Sequence, residues 1–151
     1  MGMDVYGEAP KETKGEYFRN NCWWWRPLWD YVNECGLLTP EQHEGGHYND
    51  GLLIPEEQAL RIAATLTVKV ERGEVMEVAR RYKQGLDAMP DEVCDLCHGT
   101  GKRNDMVVAH GCNKCEGKGK VRPYETWYPF DEDNVKEFAE FCAVSGGFRI
   151  Y

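Results

Sequence analysis

The chain has 151 residues and a formal net charge of -8. This length suits one domain with a single core and a small appendage. The acidic balance argues against general nucleic-acid binding, because affinity for a polyanion depends on lysine and arginine side chains that neutralise phosphates. Apolar runs are only a few residues long, so neither a signal peptide nor a membrane span is expected.

The cysteine usage indicates the redox compartment. The seven cysteines are odd in number, and four of them form two CxxC pairs. Free thiols together with a metal site explain this usage better than a disulfide framework does. A reducing compartment is therefore expected, and the cytoplasm is the predicted location.

The first part of the chain combines an irregular segment with a short helix. Residues 1–18 are rich in glycine, proline and charge, a composition typical of an irregular lead-in whose Tyr6 and Tyr17 contact the body. Pro27 suits the first turn of a helix, and Gly36 supplies its end.

The middle of the chain carries stronger helix signals. Thr39, Pro40 and Gln42 are typical of a cap, a first helical position and a capping-box partner. The glycines of residues 43–51 predict that no helix continues there. After Pro55 a buried helical stripe is predicted, consisting of Ala59, Ile62, Ala63, Leu66 and Val70.

Two further helices follow. Gly73 separates the preceding helix from one over residues 74–86. Residues 123–130 are aromatic and interrupted by prolines, which indicates an extended return path over the body. Asp131 or Asn134 would cap a last helix before the chain ends.

The sequence contains one internal repeat. Residues 94–101 (CDLCHGTG) and 112–119 (CNKCEGKG) are two copies of CxxCxGxG, with fourteen residues between the CxxC pairs. Four thiolates in two knuckles form a tetrahedral site with no open position, which is the structural form of zinc binding. The four glycines of the copies are expected at positive φ. The predicted ligands of one structural zinc ion are Cys94, Cys97, Cys112 and Cys115.

The surroundings of this repeat suit a metal site. Residues 94–122 hold six basic and three acidic side chains, and strands over residues 102–106 and 120–124 would form a ribbon. Iron in a rubredoxin-like site is the competing interpretation, but its flanking pattern is absent. His98 and His110 are predicted to be supporting or surface residues, because four cysteines fill the coordination shell. The lysines expected to offset the thiolate charge are Lys102, Lys114, Lys118 and Lys120.

Two resemblances follow from these motifs. The repeat resembles that of the DnaJ-type cysteine-rich domain, which has four copies and two zinc sites. This resemblance covers residues 94–119 and implies the zinc role of the four cysteines, but not co-chaperone activity, since no HPD tripeptide occurs. The stretches GEYFRNNCWWWRPLWDYV, GHYNDGL and SGGFRIY resemble a family of small uncharacterised proteins from bacteria and their phages, which implies an architecture but no activity.

The stretch WWWRPLW, residues 23–29, holds four of the five tryptophans. It is interpreted either as a core, since one buried aromatic removes ~150–250 Å² from water, or as a core with an added ligand surface. Consecutive residues cannot all face inward, and an indole beside a guanidinium stacks on planar groups. The ligand-binding residues of the second interpretation are Trp23, Trp24, Trp25, Arg26 and Trp29.

Residues 43–51, HEGGHYNDG, form a second candidate site. Binding residues favour loops held by a rigid scaffold. The HxxxH spacing suits helical metal ligands, but the glycines disfavour a helix and hence a second metal. His47 with Asp50 would make an acid-base pair, while a solvated turn explains the same residues. The predicted ligand-binding residues are His43, His47, Tyr48, Asn49 and Asp50.

The expected fold is a mainly helical α+β single domain with an inserted zinc ribbon held by four cysteines. Its predicted parts are a helical body with the tryptophan-rich segment over residues 1–93, the zinc ribbon over 94–122, and an extended segment and helix over 123–151. The last helix is expected to pack on the tryptophan region.

A non-catalytic binding protein is favoured over an enzyme, because no nucleophile elbow, phosphate loop or catalytic-metal signature occurs. Its ligand would be planar and nucleotide-like, as in a phage-related inhibitor or a sponge for a nucleotide signal. A small hydrolase using His43, His47 and Asp50 is one alternative, and a homo-oligomer is left open. Another alternative is a zinc-ribbon adaptor that binds a protein or structured nucleic acid through basic residues, namely Lys102, Arg103, Lys118, Lys120 and Arg122.

Overall fold

The computed structural model describes residues 2–103 and 111–151. Within these ranges the chain forms a four-stranded sheet, a two-stranded ribbon and five α-helices. The prediction of a mainly helical α+β fold is therefore confirmed. His110 and the end of the predicted strand over residues 102–106 lie outside the described residues.

The regular elements are numbered in chain order. The strands are β1 (Gly2–Gly7), β2 (Tyr17–Asn21), β3 (Leu52–Ile54), β4 (Glu92–Val93), β5 (Lys120–Val121) and β6 (Phe148–Ile150). The α-helices are α1 (Cys22–Glu34), α2 (Pro40–Gly45), α3 (Glu56–Glu71), α4 (Glu74–Ala88) and α5 (Glu132–Val144). Short 3-10 helices span Thr13–Gly15 and Tyr124–Trp127.

The chain divides into two compact units. We call Met1–Lys83 with Tyr128–Tyr151 the body, and Gln84–Trp127 the knuckle unit. The body contains the four-stranded sheet, in the order β2-β1-β6-β3 with every pair antiparallel. The knuckle unit contains the ribbon of β4 and β5.

The first 18 residues are not the irregular lead-in that their composition predicted. β1 and β2 pair with Val5 opposite Phe18, and β6 joins the other edge of β1 with Ile150 opposite Val5. These three side chains are buried. Tyr6 and Tyr17 lie on the exposed face, with ring centroids 5.0 Å apart. The inward residues alternate with polar ones over only a few positions, so composition hides the strand pattern.

Helix α1 begins five residues before the predicted start at Pro27. The side chain of Asn21 accepts hydrogen bonds from the backbone amides of Trp23 and Trp24, which places the cap before the tryptophans. Pro27 therefore lies inside the helix. Gly36 has a φ of 71° just beyond the helix end, as its predicted role as a stop requires.

The longer helices supply most of the core. α3 buries the predicted stripe, except that Val70 is only partly buried at its edge. Asp131 caps α5 by accepting from the amide of Asn134 at 2.8 Å. Phe138 of α5 meets Trp25 edge to face, with ring centroids 5.6 Å apart. The last helix thus packs on the tryptophan region, as predicted.

None of the helices in residues 2–103 and 111–151 combines the length and the apolar composition that crossing a bilayer requires.

Candidate metal centre

The four predicted ligands come together in the knuckle unit. Cys94, Cys97, Cys112 and Cys115 are all buried, and their Sγ atoms lie within 4.8 Å of one another. The distances are 3.8 Å between Cys94 and Cys112 and 3.7 Å between Cys97 and Cys115. A Zn–S bond of about 2.3 Å implies a tetrahedron edge of roughly 3.8 Å. The sulfurs therefore fit around one tetrahedral ion.

The donor set indicates a structural site. All four positions of a tetrahedral ion are filled by buried thiolates, so no position stays open for a substrate. Four sulfurs suit zinc and also iron. The metal site is supported by the geometry, while zinc as its occupant stays a prediction.

The two sequence copies adopt the same backbone conformation. His98 and Glu116, the fifth residues of each copy, have φ values of 50° and 51°. The glycines that follow also match in φ: Gly99 and Gly117 have 83° and 79°, and Gly101 and Gly119 have 70° and 73°. The prediction of positive φ at these four glycines, Gly99, Gly117, Gly101 and Gly119, is confirmed. Each copy turns back sharply because glycine adopts this region without a Cβ penalty.

Each copy closes on the other through its last glycine. The amide of Cys112 donates to the carbonyl of Gly101 at 2.8 Å, and the amide of Cys94 donates to that of Gly119 at 2.9 Å. A Cβ at Gly101 would overlap the carbonyl of Gly117, and one at Gly119 would overlap that of Gly99. Glycine is therefore needed at these two positions for two reasons: the two copies approach too closely for a Cβ, and the backbone φ is positive.

Backbone amides also point at the sulfurs. The N–H of Gly101 lies 3.2 Å from Sγ of Cys97, and the N–H of Gly119 lies 3.2 Å from Sγ of Cys115. Burial raises the pKa of the Cys97 thiol, but the hydrogen bonds that it receives from the backbone amides of Gly101 and Gly99 and from the neighbouring thiols together outweigh burial and lower that pKa to about 7. Burial raises the pKa of the Cys94 thiol. A metal must displace protons from such thiols, so its affinity falls as the pH falls.

The residues around the sulfurs only partly follow the sequence predictions. β5 pairs with β4, which precedes the first copy, whereas the predicted partner covers residues 102–106, of which 104–106 lie outside the described residues. His98 is exposed, as a surface role requires. Lys114 contacts Asp95 at 2.6 Å and Lys118 contacts Glu116 at 3.0 Å. These two ammonium groups pair with carboxylates. The hydrogen bond to Asp95 raises the pKa of Lys114, and the nearby Cys94 and Cys112 raise it further, so the predicted offset of the thiolate charge stays a prediction.

Two of the four clustered tryptophans belong to the core. Trp25 and Trp29 are wholly buried, and their rings stack at 5.2 Å. The indole of Trp25 donates to the carbonyl of Gly46, and that of Trp29 donates to the carbonyl of His43. A ligand would reach these two rings only if the core opened.

The other members of the tryptophan–arginine face lie at the surface. Trp23 and Trp24 are half-buried and Arg26 is exposed. Tyr128, which sequence reasoning missed, contacts two of them. Its ring lies 4.9 Å from that of Trp23, and its hydroxyl accepts from the Arg26 guanidinium at 3.3 Å. Nothing in the spacing of the sequence connects residues so far apart.

The histidine loop is arranged differently from the prediction. The capping box of Thr39 and Gln42 is confirmed. The short helix that it starts includes His43 and ends at Gly45, so residues 43–51 break the helix as predicted, and His47 lies beyond its end. His43 and His47 both face Asp30, at 2.7 Å and 3.4 Å. The carboxylate beside His47 is thus Asp30 and not Asp50.

The remaining loop residues separate from this pair. Tyr48 and Asp50 are exposed, and the Asn49 side chain donates to the carbonyl of Gly2 at 2.9 Å. Asn49 therefore holds the loop against β1.

A groove of about 570 Å³ lies within the knuckle unit. Tyr124 and Trp127 form one part of its wall, and Lys114, Lys118 and Lys120 form another. The two aromatic rings have centroids 5.3 Å apart. Sequence reasoning picked out the lysines but not the aromatic pair.

Comparison with family models, with curated proteins and with solved structures found no match to this chain.

Proposed function

We propose that the protein is a non-catalytic binding protein in which a structural metal site shapes a groove for a segment of a partner protein. The observation that carries this proposal is the groove of the knuckle unit, whose wall combines exposed aromatic rings with ion-paired cations. The metal site supports a structural role for the ion, since four buried sulfurs leave no position for a substrate.

The aromatic part of the groove suits a protein partner. Trp127 is 56% exposed and Tyr124 is 52% exposed, although both belong to a concave surface. Tryptophan, tyrosine and arginine are the residues that most often dominate the free energy of protein-protein binding. A partner that buries these rings removes a large apolar area from water.

The charges favour a protein over a nucleic acid. Lys114 and Lys118 each contact a carboxylate. Arg122 contacts Asp91 at 3.1 Å and also donates to the backbone carbonyl of Met89. A polyanion requires unpaired cations that release counterions on binding. Paired charges of both signs instead match a peptide that carries both signs itself.

Peptide selection tests the proposal directly. A displayed library would be selected on the metal-loaded full-length chain and then passed over the Trp127→Ala variant to remove peptides that bind elsewhere. Surviving peptides should bind that variant at least about tenfold more weakly, which corresponds to ~1.4 kcal/mol. Tyr48→Ala, which removes an equally exposed ring from the body (58%), should leave their affinity unchanged.

Two results would count against a protein partner. Selected peptides that bind Trp127→Ala as tightly as the unmodified chain would show that the groove is not the site. Salt-sensitive binding of a single-stranded oligonucleotide, abolished by the same substitution, would assign the groove to nucleic acid instead.

The tryptophan–arginine face provides a second candidate function, the binding of a planar nucleotide-like ligand. The exposed Arg26 guanidinium, whose Cζ lies 5.9 Å from the Tyr128 ring centroid, and the half-buried Trp24 favour it. Calorimetric titration with a nucleotide panel that includes cyclic species tests this candidate. This candidate is supported if a nucleotide gives a heat of binding that the Arg26→Ala variant loses and the Trp127→Ala variant keeps. It is ruled out if no nucleotide gives a heat of binding.

A further inference from the structure

The body contains a second cluster of metal-ligating side chains. Asp30 of α1, His43 of α2 and His47 just beyond α2 each offer one ligand atom, and these atoms all lie within 4.8 Å of one another. We propose that Asp30, His43 and His47 bind a divalent transition-metal ion through two imidazole nitrogens and one carboxylate oxygen. This site is separate from the cysteines and does not depend on the proposed function.

The distances suit a common ion. Oδ1 of Asp30 lies 2.7 Å from Nε2 of His43 and 3.4 Å from Nε2 of His47. Ligand atoms at about 2.1 Å from an ion are separated by roughly 3.0 Å in octahedral and 3.4 Å in tetrahedral geometry. An ion would therefore replace the hydrogen bonds between the carboxylate and the two rings with little change in the positions of the side chains.

The buried tryptophans fix the backbone of this cluster. The indole of Trp29 donates to the carbonyls of Gln42 and His43 at the end of α2, and the indole of Trp25 donates to the carbonyl of Gly46. A Cβ at Gly46 would overlap the Trp29 ring. Both histidines are thus attached to a rigid core, and rigid support is what positions metal ligands well.

The orientation of the rings also favours an ion. His43 and His47 meet edge to face with centroids 5.0 Å apart, so both Nε2 atoms converge on Asp30. Nδ1 of His47 is buried and has no hydrogen-bond partner in the described part of the chain, so packing, and not a hydrogen bond from that nitrogen, would orient the ring toward an ion.

The donor set itself suits a transition-metal ion. Imidazole nitrogens and a carboxylate oxygen are ligands that zinc and related divalent ions accept, and the carboxylate of Asp30 supplies negative charge.

The site leaves coordination positions open. The side chains of Asp30, His43 and His47 are 51%, 31% and 23% exposed. Three protein ligands with solvent access are the arrangement of metal sites that bind water or a substrate, in contrast to closed four-sulfur sites. Asp30 also lines a cleft of about 120 Å³ together with Tyr82 and Phe130.

Cobalt(II) titration of the zinc-loaded, full-length protein tests the proposal. One equivalent of Co²⁺ should bind, counted by elemental analysis after equilibrium dialysis. Its spectrum should show only the weak visible bands of nitrogen and oxygen coordination. A strong near-ultraviolet thiolate band would report exchange into the cysteine site, so the two sites are distinguished.

Single substitutions identify the ligands. Asp30→Asn and His43→Gln should each weaken cobalt binding by at least ~10–100-fold, the loss that even a supporting residue of a metal site produces. Asp50→Asn, which removes an exposed carboxylate three residues from His47, should leave the affinity unchanged. Circular dichroism checks that each variant is folded. If His43→Gln does not fold, the nearly isosteric Asp30→Asn decides the test.

Two outcomes overturn the proposal. One is no cobalt bound beyond the cysteine site at millimolar concentration. The other is that the Asp30→Asn and His43→Gln variants both still bind one equivalent of cobalt as tightly as the unmodified chain.

Discussion

Different interactions stabilise the body and the knuckle unit internally. The body has a continuous buried cluster of aromatic and aliphatic side chains from its sheet and helices. Among the described residues of the knuckle unit, the buried cluster consists of four cysteines with Val121 packed against it. A unit of 44 residues is too small to depend on such a core alone. Apolar burial stabilises the body, and we expect metal coordination by the four cysteines to stabilise the knuckle unit.

Removing one ligand gives the sharpest test of this difference. Cys97→Ser should abolish hydrogen-exchange protection across the knuckle unit and leave that of the body intact, because structural zinc contributes ~10–16 kcal/mol to small zinc-dependent folds. Mass spectrometry of exchanged peptides measures both units at once. Cys22→Ser, at a half-buried cysteine of the body, is the control. Protection that persists around residues 94–119 would contradict the comparison.

The opposite experiment removes part of the apolar core. Trp29→Ala should lower the free energy of unfolding of the body by ~3–5 kcal/mol, because it leaves a large cavity where the indole was. Denaturant titration followed by circular dichroism measures the change. The metal bound by the four cysteines of the knuckle unit should be retained. Trp127→Ala, at the exposed tryptophan, should change stability by less than ~0.5 kcal/mol. Equal effects of the two substitutions would mean that Trp29 is not a core residue.

A smaller effect is expected at the glycines. Gly119→Ala forces a Cβ onto a residue with φ 73° and against the carbonyl of Gly99, a strain of ~1–3 kcal/mol. Chelator competition should show about tenfold or greater loss of metal affinity, since 1.4 kcal/mol is tenfold. Gly85→Ala in α4, where nothing lies within 4 Å, should instead stabilise its helix by ~0.5–1 kcal/mol. Unchanged metal affinity in Gly119→Ala would show that the close approach is not required.

The smallest effect belongs to an exposed ion pair of α4. Hydrogen bonds from Arg80 and Arg81 lower the pKa of Glu77 from 4.5 to about 2. In this range the unfolded chain binds more protons, so the stabilisation is complete above pH 4.5 and is lost as the pH falls through about 2. Carboxyl carbon shifts recorded by NMR against pH measure this pKa. An ordinary pKa for Glu77 would show that the pairs do not form in solution.

The sequence predicted features that depend on local spacing. The CxxCxGxG copies carry their own turns, so the sulfur cluster and the positive φ values follow from residues 94–101 and 112–119 alone. The α3 stripe and the caps at Thr39 and Asp131 are equally local. These features can be read without knowing which distant parts of the chain they contact.

The features that were missed depend on distant contacts. Each strand of the sheet is six residues or shorter, and β1 pairs with β6 from the other end of the chain. Pro27 suggested a helix start, but the side chain of Asn21 determines it. Asp30 contacts His43 only because α1 and α2 pack together. A separation of thirteen residues in the sequence does not predict such a contact. The WWWRPLW stretch was interpreted as a core or as a core with an added ligand surface. Trp25 and Trp29 are core residues, and the sequence did not indicate that their indoles also hold the backbone beside the histidines.

The pairing of the two CxxCxGxG copies has a consequence for the origin of the knuckle unit. Each copy supplies two sulfurs and one backbone hydrogen bond to the other copy, and the copies match in φ at their fifth, sixth and eighth residues. This two-fold arrangement is what duplication of an eight-residue segment would produce. The modern copies should therefore be interchangeable modules, so that a chain carrying CDLCHGTG in both places keeps its coordination.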